Sequence, residues 1–178
     1  MIWVGLAVAA AVLALDQAVK GFFLYNWDML ACCVRGPLMG SQCNLCAPIE
    51  VTPFFDITMV WNYGVSFGLF PAEDNIARFV LIGFQTFVSL ALFVWLLSVR
   101  NVILASAIGM VIGGALGNVI DRFIYGAVAD FFDFHLFGYH WYIFNVADAA
   151  IVVGVALLLL DALVLRRDEG DRRETPSY

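Results

Sequence analysis

Four long apolar stretches dominate the chain: Ile2–Leu24, Ile76–Val99, Val102–Ile120 and Val146–Leu165. About 20 residues rising ~1.5 Å each cross a hydrocarbon core of ~30 Å, so each stretch is long enough for a membrane-spanning helix. Only Arg100-Asn101 separates the second from the third, which predicts a tight helical hairpin. Between the first and second, the pattern changes to a period of two. Phe55, Ile57, Met59 and Trp61 fall on one face, and Asp56, Thr58, Val60 and Asn62 on the other, as in a strand. The expected fold is an all-α membrane protein of four transmembrane helices with a small extracytoplasmic β-containing loop domain. Residues 1–178 form one integral membrane domain, with outer loops at about 25–75 and 121–143 and a polar tail at 166–178.

Composition agrees with this reading. Of the residues 63% are hydrophobic and 13% charged, where a soluble domain carries about 25% charged. The formal net charge of −6 argues against nucleic acid as a partner. Lys and Arg placement sets the orientation. One side of the membrane holds Arg100, Arg166, Arg167, Arg172 and Arg173. The other holds Lys20, Arg35, Arg78 and Arg122 despite its much longer loops, so both termini are expected in the cytoplasm. The first stretch has no basic residue before Lys20 and reads as a retained span rather than a cleaved leader.

Polar residues in such a chain are costly and therefore informative. An ionised carboxylate at mid-bilayer costs roughly 2.5–3.5 kcal/mol on insertion scales. Asp130 lies between Val128-Ala129 and Phe131-Phe132, and Asp148 heads the fourth apolar run. Either alone could cap a helix. Together they suggest a carboxylate pair that shares one proton, one member activating water and the other protonating a leaving amine. Asn118, Arg122 and Asn145 can donate hydrogen bonds to those carboxylates or to a substrate carbonyl. Asn118, Asp121 and Arg122 share one helical face, as do Asp16 and Lys20, four apart in the first span. Gly109, Gly113 and Gly117 repeat every four residues, a spacing that lets helix backbones approach closely. Asn62 and Gly64 mark a turn where backbone comes near another group. Asp133 is expected to be solvated, and His135 and His140 to lie at the interface rather than on a metal; no metal or cofactor is expected.

Cys32, Cys33, Cys43 and Cys46 fall in the first outer loop. Three readings stand open: disulfides, a four-thiolate zinc site, and a redox Cys-x-x-Cys. The last motivates an alternative function, a membrane thiol-disulfide oxidoreductase, although it leaves Asn118, Asp121, Arg122, Asn145 and Asp148 without a role. Intramembrane charge would also suit a channel or transporter, but four short spans without a repeat argue against one.

Four blocks carry a further signal. Leu15-Asp16-Gln17-Ala18-Val19-Lys20, Asn62-Tyr63-Gly64-Val65-Ser66-Phe67-Gly68, Gly113 through Arg122 with Asp130-Phe131, and Phe144-Asn145-Val146-Ala147-Asp148 resemble, in order, the motifs of signal peptidase II, the bacterial lipoprotein signal peptidases. The resemblance implies an intramembrane aspartic endopeptidase of the bacterial inner membrane, its active site near the periplasmic face. It would cut diacylglyceryl-modified prolipoproteins just before the lipidated Cys and be a target of globomycin-type peptide inhibitors. It also implies that Asp130 and Asp148 are catalytic and that Asn62, Gly64, Asn118, Arg122 and Asn145 support the pair or bind substrate. Asp16, Lys20 and Asp121 match structural polar positions. The chain departs from the family at Tyr63, where Thr is usual, and in its long Cys-containing first loop.

Overall fold

The four apolar runs form helices, and what ends each one is readable in the chain. In this computed structural model residues 1–27, 48–64, 75–137, 139–140 and 142–165 are described. Helix α1 spans Ile2–Gly21 and continues as a wider turn over Phe22–Asn26. Helix α2 is Asn75–Leu96, α3 Val102–Ile124 and α4 Val146–Leu160, with a further turn to Leu165. All four are long and apolar enough to cross a membrane. Cys32, Cys33, Cys43, Cys46, the segment Val65–Gly68 and the tail after residue 165 lie outside the described residues.

Side-chain caps start α3 and α4, because the first turns of a helix leave N–H groups without partners. Asn101 Oδ1 accepts from Ile103 N at 2.8 Å and Leu104 N at 3.3 Å. Asn145 Oδ1 accepts from Asp148 N at 2.9 Å, so Asn145 is the cap and Asp148 is left free for another role. Helix α3 runs to Ile124, beyond the expected span end at 120, and carries Asp121 and Arg122 on the same helix as Asn118, as their spacing implied. Gly126, at φ +86°, then turns the chain into the sheet, a conformation that costs glycine little.

Helix α3 is the centre of the bundle and packs against α1, α2 and α4. Its glycines permit this. A Cβ on Gly113 would lie 2.5 Å from Ala9 O of α1, and one on Gly114 2.5 Å from Ala147 O of α4. A Cβ on Gly109 would collide with Gly5 O. Dispersion contacts hold spans together where lipid offers no hydrophobic drive, so backbone contact at these positions is the adhesive. At one end Leu96, Val99, Leu104, Ala105, Ile108 and Ile112 close the core.

At the other end lies an antiparallel sheet in the order β1-β2-β3-β4: Ile49–Thr52, Phe55–Asn62, Val128–Leu136 and Tyr139–His140. Phe23, Leu24, Trp61, Ala127, Ala129 and Phe131 pack it onto the end of α1. The register between β2 and β3 shifts by one: Ile57 faces Phe132, but Val60 faces Asp130 and Asn62 faces Val128. This bulge overturns the simple alternation expected for β2. A residue inserted into one strand moves everything beyond it to the other face. Without it Asp130 would face Met59, and Asn62, three residues on, would point away. With it, Asn62 and Asp130 are diagonal neighbours on one face.

Gly113→Ala is expected to destabilise the protein by about 1–3 kcal/mol through overpacking against Ala9. Gly83→Ala, where a Cβ meets nothing within 4 Å, should leave stability unchanged. Thermal unfolding of both variants in one detergent measures the difference.

Candidate active site

The polar residues singled out in the sequence converge where α1, α3, α4 and the sheet meet. Asp130 is the third residue of β3 and is almost fully buried; Asp148 occupies the first turn of α4 and is half-buried. Two carboxamides join them. Asn145 Nδ2 donates to Asp130 Oδ1 at 2.7 Å and, at 3.3 Å, to Ala129 O and Asn118 Oδ1. Asn118 Nδ2 donates to Asp148 Oδ1 at 2.8 Å. Because Asp148 N donates to Asn145 Oδ1, the circuit from one carboxylate to the other closes on the helix cap. Asp130 Oδ2 accepts from Asn62 Nδ2 at 3.1 Å, and Asn62 Nδ2 also donates to Tyr142 Oη at 2.7 Å.

Beneath the pair lies a buried ion cluster. Lys20 Nζ is 2.8 Å from Asp16 Oδ2, 2.7 Å from Asp121 Oδ2 and 3.2 Å from Asn118 Oδ1. An ammonium only donates, so it fixes the Asn118 oxygen toward itself and the Asn118 NH2 toward Asp148. Each acid also holds the backbone beside one member of the pair. Asp16 Oδ1 accepts from Ala147 N at 2.9 Å, and Asp121 Oδ2 from Ala129 N at 3.3 Å. Gln17 Nε2 completes the cluster on Asp121 Oδ1 at 3.0 Å.

Arg122 ties the turn after β2 to the bundle. Its Nη2 donates to Gly64 O at 3.0 Å and its Nη1 to Gln85 Oε1 at 3.2 Å. Gly64 N donates to Asn62 Oδ1 at 3.1 Å, a turn built on the Asn side chain. Gln17, Gln85 and Tyr142 were not singled out in the sequence. Gln17 had one available signal, its place between Asp16 and Lys20.

The expected environment of Asp133 needs correction. Asp133 is buried rather than solvated, with Oδ2 2.9 Å from His140 Nδ1. His135 Nε2 lies 3.0 Å from Asp56 Oδ2, at ion-pair distance though not aligned for a hydrogen bond. Sheet register brings these side chains together, Asp56 facing Asp133 and His135 facing His140. Among the described residues no three His, Cys, Asp or Glu form a group able to hold a metal ion.

Burial, and then the neighbouring Asp148 charge, push the Asp130 carboxyl up to about 8. Hydrogen bonds from Asn62 and Asn145 and the Lys20 charge oppose the rise. Near neutral pH Asp130 therefore retains a proton beside a second carboxyl group. This arrangement can deliver one proton and withdraw another without a cofactor.

Comparison with known proteins places the chain in a family. The sequence model for Signal peptidase (SPase) II matches residues 8–164. The chain is 45% identical over 150 residues to the lipoprotein signal peptidase of Beijerinckia indica, covering 84% of this chain and 81% of that one. It is 42% identical over 159 residues to that of Methylorubrum extorquens, covering 89% and 85%. Among solved structures, a bacterial membrane enzyme determined by the in meso method at 2.3 Å superposes with a TM-score of 0.74 at 26% identity, covering 98% of this chain and 94% of that one. A second, at 1.9 Å, gives 0.70 at 27% identity, covering 92% and 95%. These similarities give no support to a thiol-disulfide oxidoreductase.

Two measurements follow from the geometry. Lys20→Met leaves Asp16 and Asp121 facing each other in a buried site and should cost about 3–5 kcal/mol, read as a lower unfolding midpoint. The second concerns pH. The folded protein holds the Asp130 proton up to about 8, while the unfolded chain loses it near 3.8. The native state binds more protons in that window, so stability falls as pH rises through it and levels off above about 8. Asp130→Asn should flatten that slope in unfolding midpoints measured from pH 4 to 9; an unchanged slope refutes the assignment.

Proposed function

The chain belongs to the signal peptidase II family, and from that premise we propose that Asp130 and Asp148 are its catalytic pair. Its reaction is peptide-bond hydrolysis, removing the signal peptide from prolipoproteins, and it is a multi-pass membrane protein. One observation carries the assignment: the Asn145–Asn118 circuit that holds the two carboxyl groups, one on a strand and one on a helix, at one place.

With one proton between them, the ionised carboxylate takes a proton from water, and the resulting hydroxide attacks the scissile carbonyl carbon. The protonated carboxyl gives its proton to the carbonyl oxygen. In the collapse of the tetrahedral intermediate the C–N bond breaks, the carboxyl that took the water proton gives it to the leaving amine, and the other carboxylate takes a hydroxyl proton from the gem-diol, which returns one proton to the pair. The pair titrates as a unit, so these roles belong to the pair rather than to either residue. Asn118, Asn145 and Asn62 hold the carboxyl groups, and Arg122, through Gly64, holds the turn that faces them.

The substrate in this reading is a prolipoprotein already carrying diacylglycerol, cut before the lipidated Cys. Its acyl chains remain among the membrane lipids and its signal helix lies beside the spans, which brings the scissile bond to the sheet-bearing end of the bundle. That end faces the periplasm, with both termini in the cytoplasm, in keeping with the Lys and Arg distribution along the inner-membrane spans. Globomycin-type peptides would occupy the same place as the substrate.

Asp130→Asn and Asp148→Asn are each expected to abolish cleavage, by at least about 10³-fold, while the protein folds and inserts normally. Gel mobility of a lipidated precursor reads the result. Processing retained by either variant would falsify the pair.

A further inference from the structure

Tyr142 lies outside every motif identified in the sequence, yet its hydroxyl and Asp130 accept hydrogen bonds from the same Asn62 nitrogen. The Asn62 carboxamide has three hydrogen-bonding positions directed at neighbours, and all three are used. Oδ1 accepts from Gly64 N at 3.1 Å, and Nδ2 donates to Asp130 Oδ2 at 3.1 Å and to Tyr142 Oη at 2.7 Å. The Tyr142 contact is the shortest of the three.

Asn62 ends β2, and Gly64, two residues on, is held by Arg122 Nη2 through its carbonyl oxygen. A carboxamide at a strand end turns about its terminal torsion over a broad range unless both ends are held. Gly64 holds the oxygen and Tyr142 the nitrogen, which leaves the second amide hydrogen directed at Asp130. Tyr142 is itself placed by backbone pairing. Phe144 exchanges hydrogen bonds with Phe132, N to O at 3.2 Å and O from N at 2.9 Å, and this zips the approach to α4 onto β3 two residues from Asp130.

Resting on the catalytic assignment of Asp130 and Asp148, we propose that Tyr142 is a positioning residue that locks the Asn62 carboxamide onto Asp130. It acts through Asn62 and touches no reacting atom. The groups acting on Asp130 come from each surrounding element: Asn62 from β2, Asn145 and Asp148 from α4 and its cap, and Lys20 from α1. The Arg122 charge of α3 acts electrostatically with Asp130, Asp148, Asp121 and Tyr142. Among these, Asn62 is in direct hydrogen-bond contact with Tyr142. A hydrogen bond from Asn62 favours the ionised Asp130, so a loosened Asn62 lets the Asp130 carboxyl rise further.

The test uses the full chain in detergent with a lipidated precursor, comparing Tyr142→Phe, Asn62→Ala and the double variant. Tyr142→Phe keeps the ring, and the unfolding midpoint checks the fold. The expected result is a kcat lower by on the order of tenfold with KM changed less than about twofold, and an alkaline limb of the pH–rate profile displaced to higher pH. In the Asn62→Ala background the same substitution should have no further effect, because the two act as one unit. A purely structural tyrosine would lower stability without moving the limb. Wild-type kcat and limb in Tyr142→Phe, or an equal loss with and without Asn62, overturns the proposal. Asp130→Asn in the same assay keeps the two claims apart. If it is inactive while Tyr142→Phe is normal, only the tyrosine's role falls; if it is active, the catalytic assignment itself falls.

Discussion

A single buried ammonium organises this molecule. Lys20 donates to three oxygens from two helices, and each of its partners reaches onward to the carboxylate pair. Asp16 holds the backbone before Asp148, Asp121 holds the backbone before Asp130, and Asn118 holds Asp148 directly. Burying a charge is affordable only when it is fully paired and hydrogen-bonded. The cluster meets that condition, and its geometry then fixes the positions of α4 and β3 relative to α1 and α3. An apolar group at residue 20 could fill the volume but could not orient an amide.

That arrangement needs α1 and α3 in close contact, which is why the glycine stripe matters beyond packing. A Cβ on Gly117 would lie 2.5 Å from Asp16 Oδ2. The same repeat that brings the backbones together at Gly109 and Gly113 therefore ends at the ion cluster. Sequence spacing, helix approach and electrostatics meet along one face of α3. The sheet adds its part by register: the bulge in β2 directs Asn62 toward Asp130 instead of away from it.

How much of this was legible in the chain depends on the range of the forces involved. The spans were, because hydropathy is summed locally and needs no partner. Asp130 and Asp148 stood out because a carboxylate among apolar residues is expensive wherever its partner lies. Asn145 stood out for the same reason, but its double use as helix cap and as bridge depends on β3 arriving beside it. The face of Asn62 was misread because a bulge is set by pairing with a strand 70 residues away, and nothing in Asp56–Asn62 announces it. Asp133 was placed in water because its partner His140 comes from β4 across a hairpin. Gln85 and Tyr142 carry no unusual cost at their own positions, so composition could not flag them.

The asymmetry of the pair has a consequence for access. Asp130 is enclosed, with one oxygen taken by Asn62, the other by Asn145, and almost no surface left. Asp148 has one oxygen engaged by Asn118 and keeps partial exposure. On the proposed chemistry, water and the scissile amide therefore reach the pair from the Asp148 side, while Asp130 works from behind, within its carboxamide cradle. An enclosed acid joined to a half-open one through Asn145 and Asn118 lets the site hold a proton against solvent and, in the proposed function, still admit a lipidated chain. Placing one acid on a strand and the other on a helix start achieves this, since β3 is covered on its site-facing side by Asn62 and Asn145 whereas the first turn of α4 is not.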